Sequence, residues 1–254
     1  MEMFNISFLK KEIKEYIKTY KLLIILCLFT FFAILSPLTA RYMNELISLL
    51  AEDVQIIFPE PTFMDAWVQF YKNTTTLCLV VYLIIMTGTV AQEKNKGSIM
   101  LVLTKKVSRF NFLFSKFVGG SLLLTVGLVI SLLVSGLYTQ ILFEEVFYDG
   151  LLFSILLLWL MGLFYTAFAI FASVIAKTPT TAALLGFAGY AIFNLLNVSS
   201  GLQKFNPAGA SSLLNAILYN TSTTSANIIC LISTIIGTVL TFTLSYIIFK
   251  KQEI

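Results

Sequence analysis

Histidine is absent from the chain, cysteine occurs only three times (Cys27, Cys78, Cys230), and charged residues make up 12% of it. Each shortage closes off a class of protein. Globular domains carry roughly 25% charged residues. A 254-residue chain that is 58% hydrophobic, with a mean hydropathy of +0.89, has too little polar surface to coat a water-soluble particle. Without histidine, and with its cysteines inside apolar stretches, the chain can assemble neither a zinc site nor a disulfide framework. No glycine is followed by lysine, so the phosphate cradle of a P-loop is missing and the chain has no such ATP site of its own.

What is present is a set of long apolar runs. A spanning helix needs about 20 mainly apolar residues at 1.5 Å rise each. Segments 22–40, 74–91, 117–138, 151–176, 180–198 and 226–249 meet that length, and none contains Asp, Glu, Lys or Arg. Ion-coupled carriers need ionisable groups on their pathway, and most intramembrane hydrolases need a histidine or paired acids, so both classes are disfavoured. The first run is longer than a secretory signal core and meets Ser36, Pro37 and Arg41 where a cleavage site would stand, so it is taken as a retained span. The expected fold is an all-α polytopic membrane protein, a single transmembrane domain over 1–254 with six transmembrane helices.

Charge gives the expected orientation, because lysine and arginine stay in cytoplasmic connections. Fourteen basic residues, including Lys10, Lys11, Lys14, Lys18, Lys21, Lys94, Lys96, Lys105, Lys106, Arg109 and Lys116, fall on the face that holds both termini, and three, Arg41, Lys72 and Lys204, on the other. Both termini are therefore placed in the cytoplasm. The net charge of +4 divides into +9 inside and −5 outside, which points to anionic lipid headgroups and not to nucleic acid.

Residues 1–21 carry Ile6, Leu9, Ile13, Tyr16, Ile17 and Tyr20 at helical steps, opposed by Lys11, Lys14, Lys18 and Lys21. This predicts an amphipathic interfacial helix, serving as a lipid anchor, a partner surface, or both. Small residues line two spans, Gly162, Thr166, Ala169 and Ser173 in the fourth and Ala182, Gly186 and Gly189 in the fifth, and are expected to let helix backbones approach closely. The connection 41–72 is long for a turn and expected to be partly ordered. The stretch 199–225 is either a short re-entrant helical hairpin or a surface loop.

The connection 92–116 carries the clearest functional signal. Gly97 can end the helix that continues the second span, Ser98 can cap a short helix over Ile99, Leu101, Val102 and Leu103, and Ser108 can cap the helix of the third span. Apolar residues on a water-facing loop suggest either a docking surface or a segment resting on the bilayer. The run Glu93-Lys-Asn-Lys-Gly97-Ser98, then Leu101-Val-Leu103, then Ser108-Arg109 and Lys116, resembles the first cytoplasmic loop of ABC-2 type permeases. These are the membrane subunits of ABC exporters, and with the six spans and the basic N-terminal helix the likeness covers the whole chain. One departure is Lys106, where that family usually has proline.

The resemblance implies a cytoplasmic coupling helix made of Glu93, Gly97, Ser98, Ile99, Leu101, Val102 and Leu103, with Ser108 and Arg109 opening the next helix. It implies a separate ABC ATPase subunit carrying ATP and Mg, a second permease subunit, with a homodimer preferred and a heterodimer left open, and residence in the bacterial cell membrane. The chain itself is then not an enzyme and holds no cofactor or metal. Spans without charge, rich in Phe, Thr, Ser and Asn, favour amphipathic or hydrophobic cargo, a toxin or antimicrobial peptide first, with drug, lipid or sodium export left open. An ATPase-independent pore or scaffold is the competing class. Leu101→Asp is expected to abolish transport and uncouple ATP hydrolysis while leaving membrane insertion intact, as assayed by ATPase activity and membrane fractionation.

Overall fold

The computed structural model describes residues 6–50, 59–99 and 108–252. It is all-helical, with no strand among the described residues. The helices are α1 (Ile6–Lys18), α2 (Lys21–Leu50), α3 (Phe63–Asn73), α4 (Leu79–Asn95), α5 (Arg109–Phe143), α6 (Leu151–Ile175), α7 (Pro179–Leu196), α8 (Ser200–Gln203), α9 (Ala210–Leu218) and α10 (Thr224–Lys251). A π-helical turn, Thr74–Cys78, joins α3 to α4 without a break. Six helical runs among the described residues are long and apolar enough to cross a bilayer: Lys21–Glu45, Phe63–Asn95, Arg109–Phe143, Leu151–Ile175, Pro179–Leu196 and Thr224–Lys251.

These runs overlap the six expected spans but extend past several of their ends, because apolar content reports contact with hydrocarbon whereas helix continues into charged sequence. The largest difference is in 41–72. α2 passes through Pro37 and continues to Leu50, and the second span begins at Phe63, so much of the expected loop is helix. Proline removes one backbone donor. Beside it, Ser36 Oγ donates to Phe32 O and accepts from Asn73 Nδ2, which ties α2 to α3 at the interruption. Thr62 and Asp65 form a capping box that starts α3.

The α3–α4 run and α6 form the centre of the bundle, with Tyr82, Met86, Leu157, Met161, Phe164 and Tyr165 fully buried between them and their neighbours. The small residues sit at close crossings. A Cβ on Gly162 would lie 2.4 Å from Leu124 Cδ2, one on Gly186 2.5 Å from Thr87 Cγ2, and one on Gly189 2.1 Å from Phe168 Cζ. Thr166 Oγ bonds the Tyr82 hydroxyl at 2.7 Å, Ser173 Oγ accepts from the amides of Val90 and Ala91, Ala169 is buried, and Ala182 packs with Ala91 and Ala176. At the end remote from the termini, Trp67 Nε1 donates to Val146 O and the hydroxyls of Tyr71 and Tyr148 bond each other, clasping α3 to the α5–α6 connection.

Residues 199–225 hold two short helices, α8 and α9, joined through a 3-10 turn at Pro207–Gly209, with α9 packed against α6 and α3. Asn206 Nδ2 bonds Phe193 O and Asn197 Oδ1, Asn197 Nδ2 donates to Ala208 O, and Pro207, Ala208, Gly209, Leu214 and Leu218 are buried. Gly209 is required by proximity, since a Cβ there would stand 2.0 Å from the backbone oxygen of Gln203. Gly209→Ala is expected to cost about 1–3 kcal/mol, read as a lower melting temperature of the solubilised protein, whereas Gly136→Ala, with nothing within 4 Å of its Cβ, should cause no loss.

Candidate coupling site at the basic end of the bundle

The connection between α4 and α5 leaves and re-enters the bundle at the end that holds α1 and the end of α10. At its first root, Lys96 and Gly97 close α4, with the Gly97 amide bonded to Lys94 O and Gly97 at φ +67°, a left-handed conformation that suits glycine at a helix C-terminus. Ser98 Oγ donates to Glu93 O. Ile99 is buried among Phe8, Val90, Phe112, Leu113 and Phe249. It therefore anchors the root and is not presented on the water-facing part of the connection, because an apolar side chain gains more from burial among the helix ends than from exposure. Met100, Leu101, Val102 and Leu103 lie outside the described residues.

At the second root, Ser108 caps α5, its Oγ accepting from the amide of Asn111. Arg109 does more than open that helix. Its guanidinium donates to the carbonyls of Phe249, Lys250 and Gln252 at 2.9, 2.7 and 2.8 Å, closing the C-terminus of α10. A cation at a helix C-terminus satisfies orphan carbonyls and meets the negative end of the helix dipole.

Between the two roots lies a buried ion cluster. The Lys116 ammonium is fully buried and lies 3.1 Å from Glu12 Oε2 and 2.9 Å from Glu93 Oε1. Lys11, partly exposed, reaches Glu93 Oε1 at 3.0 Å from the rim. Glu12 is on α1, Glu93 on α4 and Lys116 on α5, so three elements meet on one ammonium. Phe112 stacks on Phe249 and lies beneath both Phe8 and the Lys116 ammonium.

Two further ties complete the end of the bundle. Lys94 Nζ donates to Val174 O at 2.6 Å, at the C-terminus of α6, and Gln252 Nε2 donates to the same carbonyl at 3.0 Å. Followed round, the bonds run from α1 to α5 and α4 through Lys116, from α4 to α6 through Lys94, from α6 to α10 through Gln252, and from α10 back to α5 through Arg109. Both roots of the connection are thus joined to the ends of five helices.

α1 packs differently from its expected pattern. Phe8, Glu12 and Tyr16 face the protein, while Ile6, Ile13, Ile17 and Tyr20 are exposed. Tyr16 therefore leaves the expected apolar stripe. Lys14 and Lys18 are exposed, and Lys21 is the first residue of α2, its ammonium 5.7 Å from the Tyr16 ring. Sequence reasoning overlooked Glu12, Lys94, Lys116 and Gln252 as partners. The available signal was Glu12 at four-residue spacing between Phe8 and Tyr16, an acid in an otherwise aromatic stripe.

The sequence model of the family described as "ABC-2 family transporter protein" matches residues 6–254. The chain belongs to the ABC-2 transporter family. A relative in Bacillus subtilis (strain 168), described as "Uncharacterized transmembrane protein YxlG", is 25% identical over 183 residues, covering 71% of each chain. Family membership and six apolar helices make this a multi-pass protein of the bacterial membrane and a membrane permease of an ABC transporter. Lys116→Met leaves two buried carboxylates without their shared cation and is expected to destabilise the fold by about 3–5 kcal/mol. Glu12→Gln/Lys116→Met/Glu93→Gln should recover most of that loss, as read by thermal unfolding in detergent.

Proposed function

We propose that the chain is the membrane half of an ATP-driven exporter, powered by a separate ABC ATPase that docks on the connection 92–116. The observation that carries this reading is the arrangement of the two roots. The connection is held at Glu93, Lys94, Arg109 and Lys116 to the ends of α1, α4, α5, α6 and α10, so a force applied to it reaches the whole basic end together. The absence of a P-loop in the sequence supports placing ATP and Mg on the partner. The excess of lysine and arginine on this end supports placing it in the cytoplasm.

Cargo of amphipathic or hydrophobic character, a membrane-active peptide first, suits spans that lack charge in their apolar stretches. The middle of one copy is filled by Tyr82, Met86, Phe164 and Tyr165, which favours a path between two copies, with the permease working as a homodimer. The test is a mild-detergent pull-down from native membranes, with mass spectrometry and an ATPase assay on the eluate. A stoichiometric P-loop ATPase is the expected result. A chain that elutes alone in several detergents, without ATP hydrolysis, would replace the exporter with a pore or scaffold.

A further inference from the structure

Resting on the exporter reading above, we propose that Glu12, Lys116 and Glu93 are positioning residues for coupling, which clamp α1 to both roots of the connection so that the three move as one lever. Lys116 is fully buried, yet its partners come from elsewhere in the chain, 104 residues away for Glu12 and 23 for Glu93. The ion cluster is therefore a joint between elements and not a local helix contact.

Its composition argues for a geometric role over a stabilising one. Buried ion pairs are often no more stabilising than apolar side chains of the same volume. Here the arrangement is also incompletely satisfied, since Glu93 Oε2 and the Tyr16 hydroxyl are buried without a hydrogen-bond partner. Burial and then the charge of Glu12 push the Tyr16 phenol well above its ordinary pKa, so it remains a neutral hydroxyl. What an ion cluster supplies and an apolar contact lacks is direction: carboxylates and an ammonium meet at one rotation of each helix, whereas methyl groups tolerate sliding.

The neighbouring backbone fits the same purpose. Tyr16 lies over Gly119, one turn beyond Lys116, where a Cβ would be 3.3 Å from the Tyr16 ring and 3.5 Å from Glu12 Cβ. α1 is thereby seated flat on α5 at the position where the ions meet. The carboxylates of Glu12, Glu15 and Glu93 also approach one another within 4.8 Å, but the ammonium groups of Lys116 and Lys11 stand among them. The cluster is a clamp and not a cation site. On its other side α1 presents Ile6, Ile13 and Ile17 outward, so the lever has one face fixed to the connection and one free to bear on the bilayer surface.

The test uses the full permease–ATPase complex in nanodiscs, with Cys27, Cys78 and Cys230 replaced by alanine and spin labels introduced by Lys14→Cys and Lys96→Cys, both exposed sites. In the otherwise wild-type complex the label-to-label distance should stay narrow and unchanged between the nucleotide-free and vanadate-trapped states. In Glu12→Gln/Lys116→Met/Glu93→Gln, which removes the ions but keeps their volume, the distribution should broaden. ATP turnover should then fall about tenfold while the ATPase remains bound at the same stoichiometry. A triple variant with a narrow distance and unchanged turnover overturns the clamp. A wild-type chain that binds no ATPase overturns the exporter reading and with it the coupling role, while the distance comparison still decides whether the ions hold α1 to the connection.

Discussion

The basic end of this permease is organised by one ammonium group. Lys116 sits out of reach of water, where an unpaired charge would be far too costly to keep, so its position requires Glu12 and Glu93 to be where they are. That requirement sets the rotation of α1, α4 and α5 about their own axes. Once those are fixed, Phe8 falls on Phe112, Phe112 falls on Phe249, and Arg109 comes within reach of the last carbonyls of α10.

The three levels of the bundle are held by different means, each suited to its surroundings. At the basic end, charges and carbonyls make directional bonds. In the middle, where lipid offers no hydrophobic drive for helices to associate, glycine, threonine and serine let α4, α5, α6 and α7 approach until Thr166 and Ser173 bond across them. At the far end, aromatic rings with polar tips, Trp67, Tyr71 and Tyr148, close the connection between α5 and α6.

The six spans were legible because a bilayer demands a long apolar run, a one-dimensional property that sequence displays directly. The helical extent of 41–72 was not, since polar and acidic residues there are compatible with either helix or loop until α3 is seen against α2. Charge counting located the basic end but hid its wiring. Lys116 and Lys94 add to the count equally whether they face lipid headgroups, water, or, as here, a carboxylate and a helix terminus. Gly97 and Ser108 were readable as local stop and start signals, because capping depends on near neighbours. Arg109 was readable only as part of a motif, because its carbonyl partners lie about 140 residues further along the chain.

The π-helical turn at Thr74–Cys78 has a consequence for the far side of the molecule. Thr75 and Thr76 bond back to carbonyls of the preceding turn, and the Tyr190 hydroxyl donates to Thr75 O, holding the widened turn in place. Such a turn adds one residue to an otherwise continuous helix, and each residue turns an α-helix by about 100°. Trp67 above it and Glu93 below it are therefore kept in phase by that single extra residue, aiming the aromatic clasp and the ion cluster at their respective partners from one rod. The turn thereby offsets the rotational phase of the two ends of the second span relative to an unbroken α-helix.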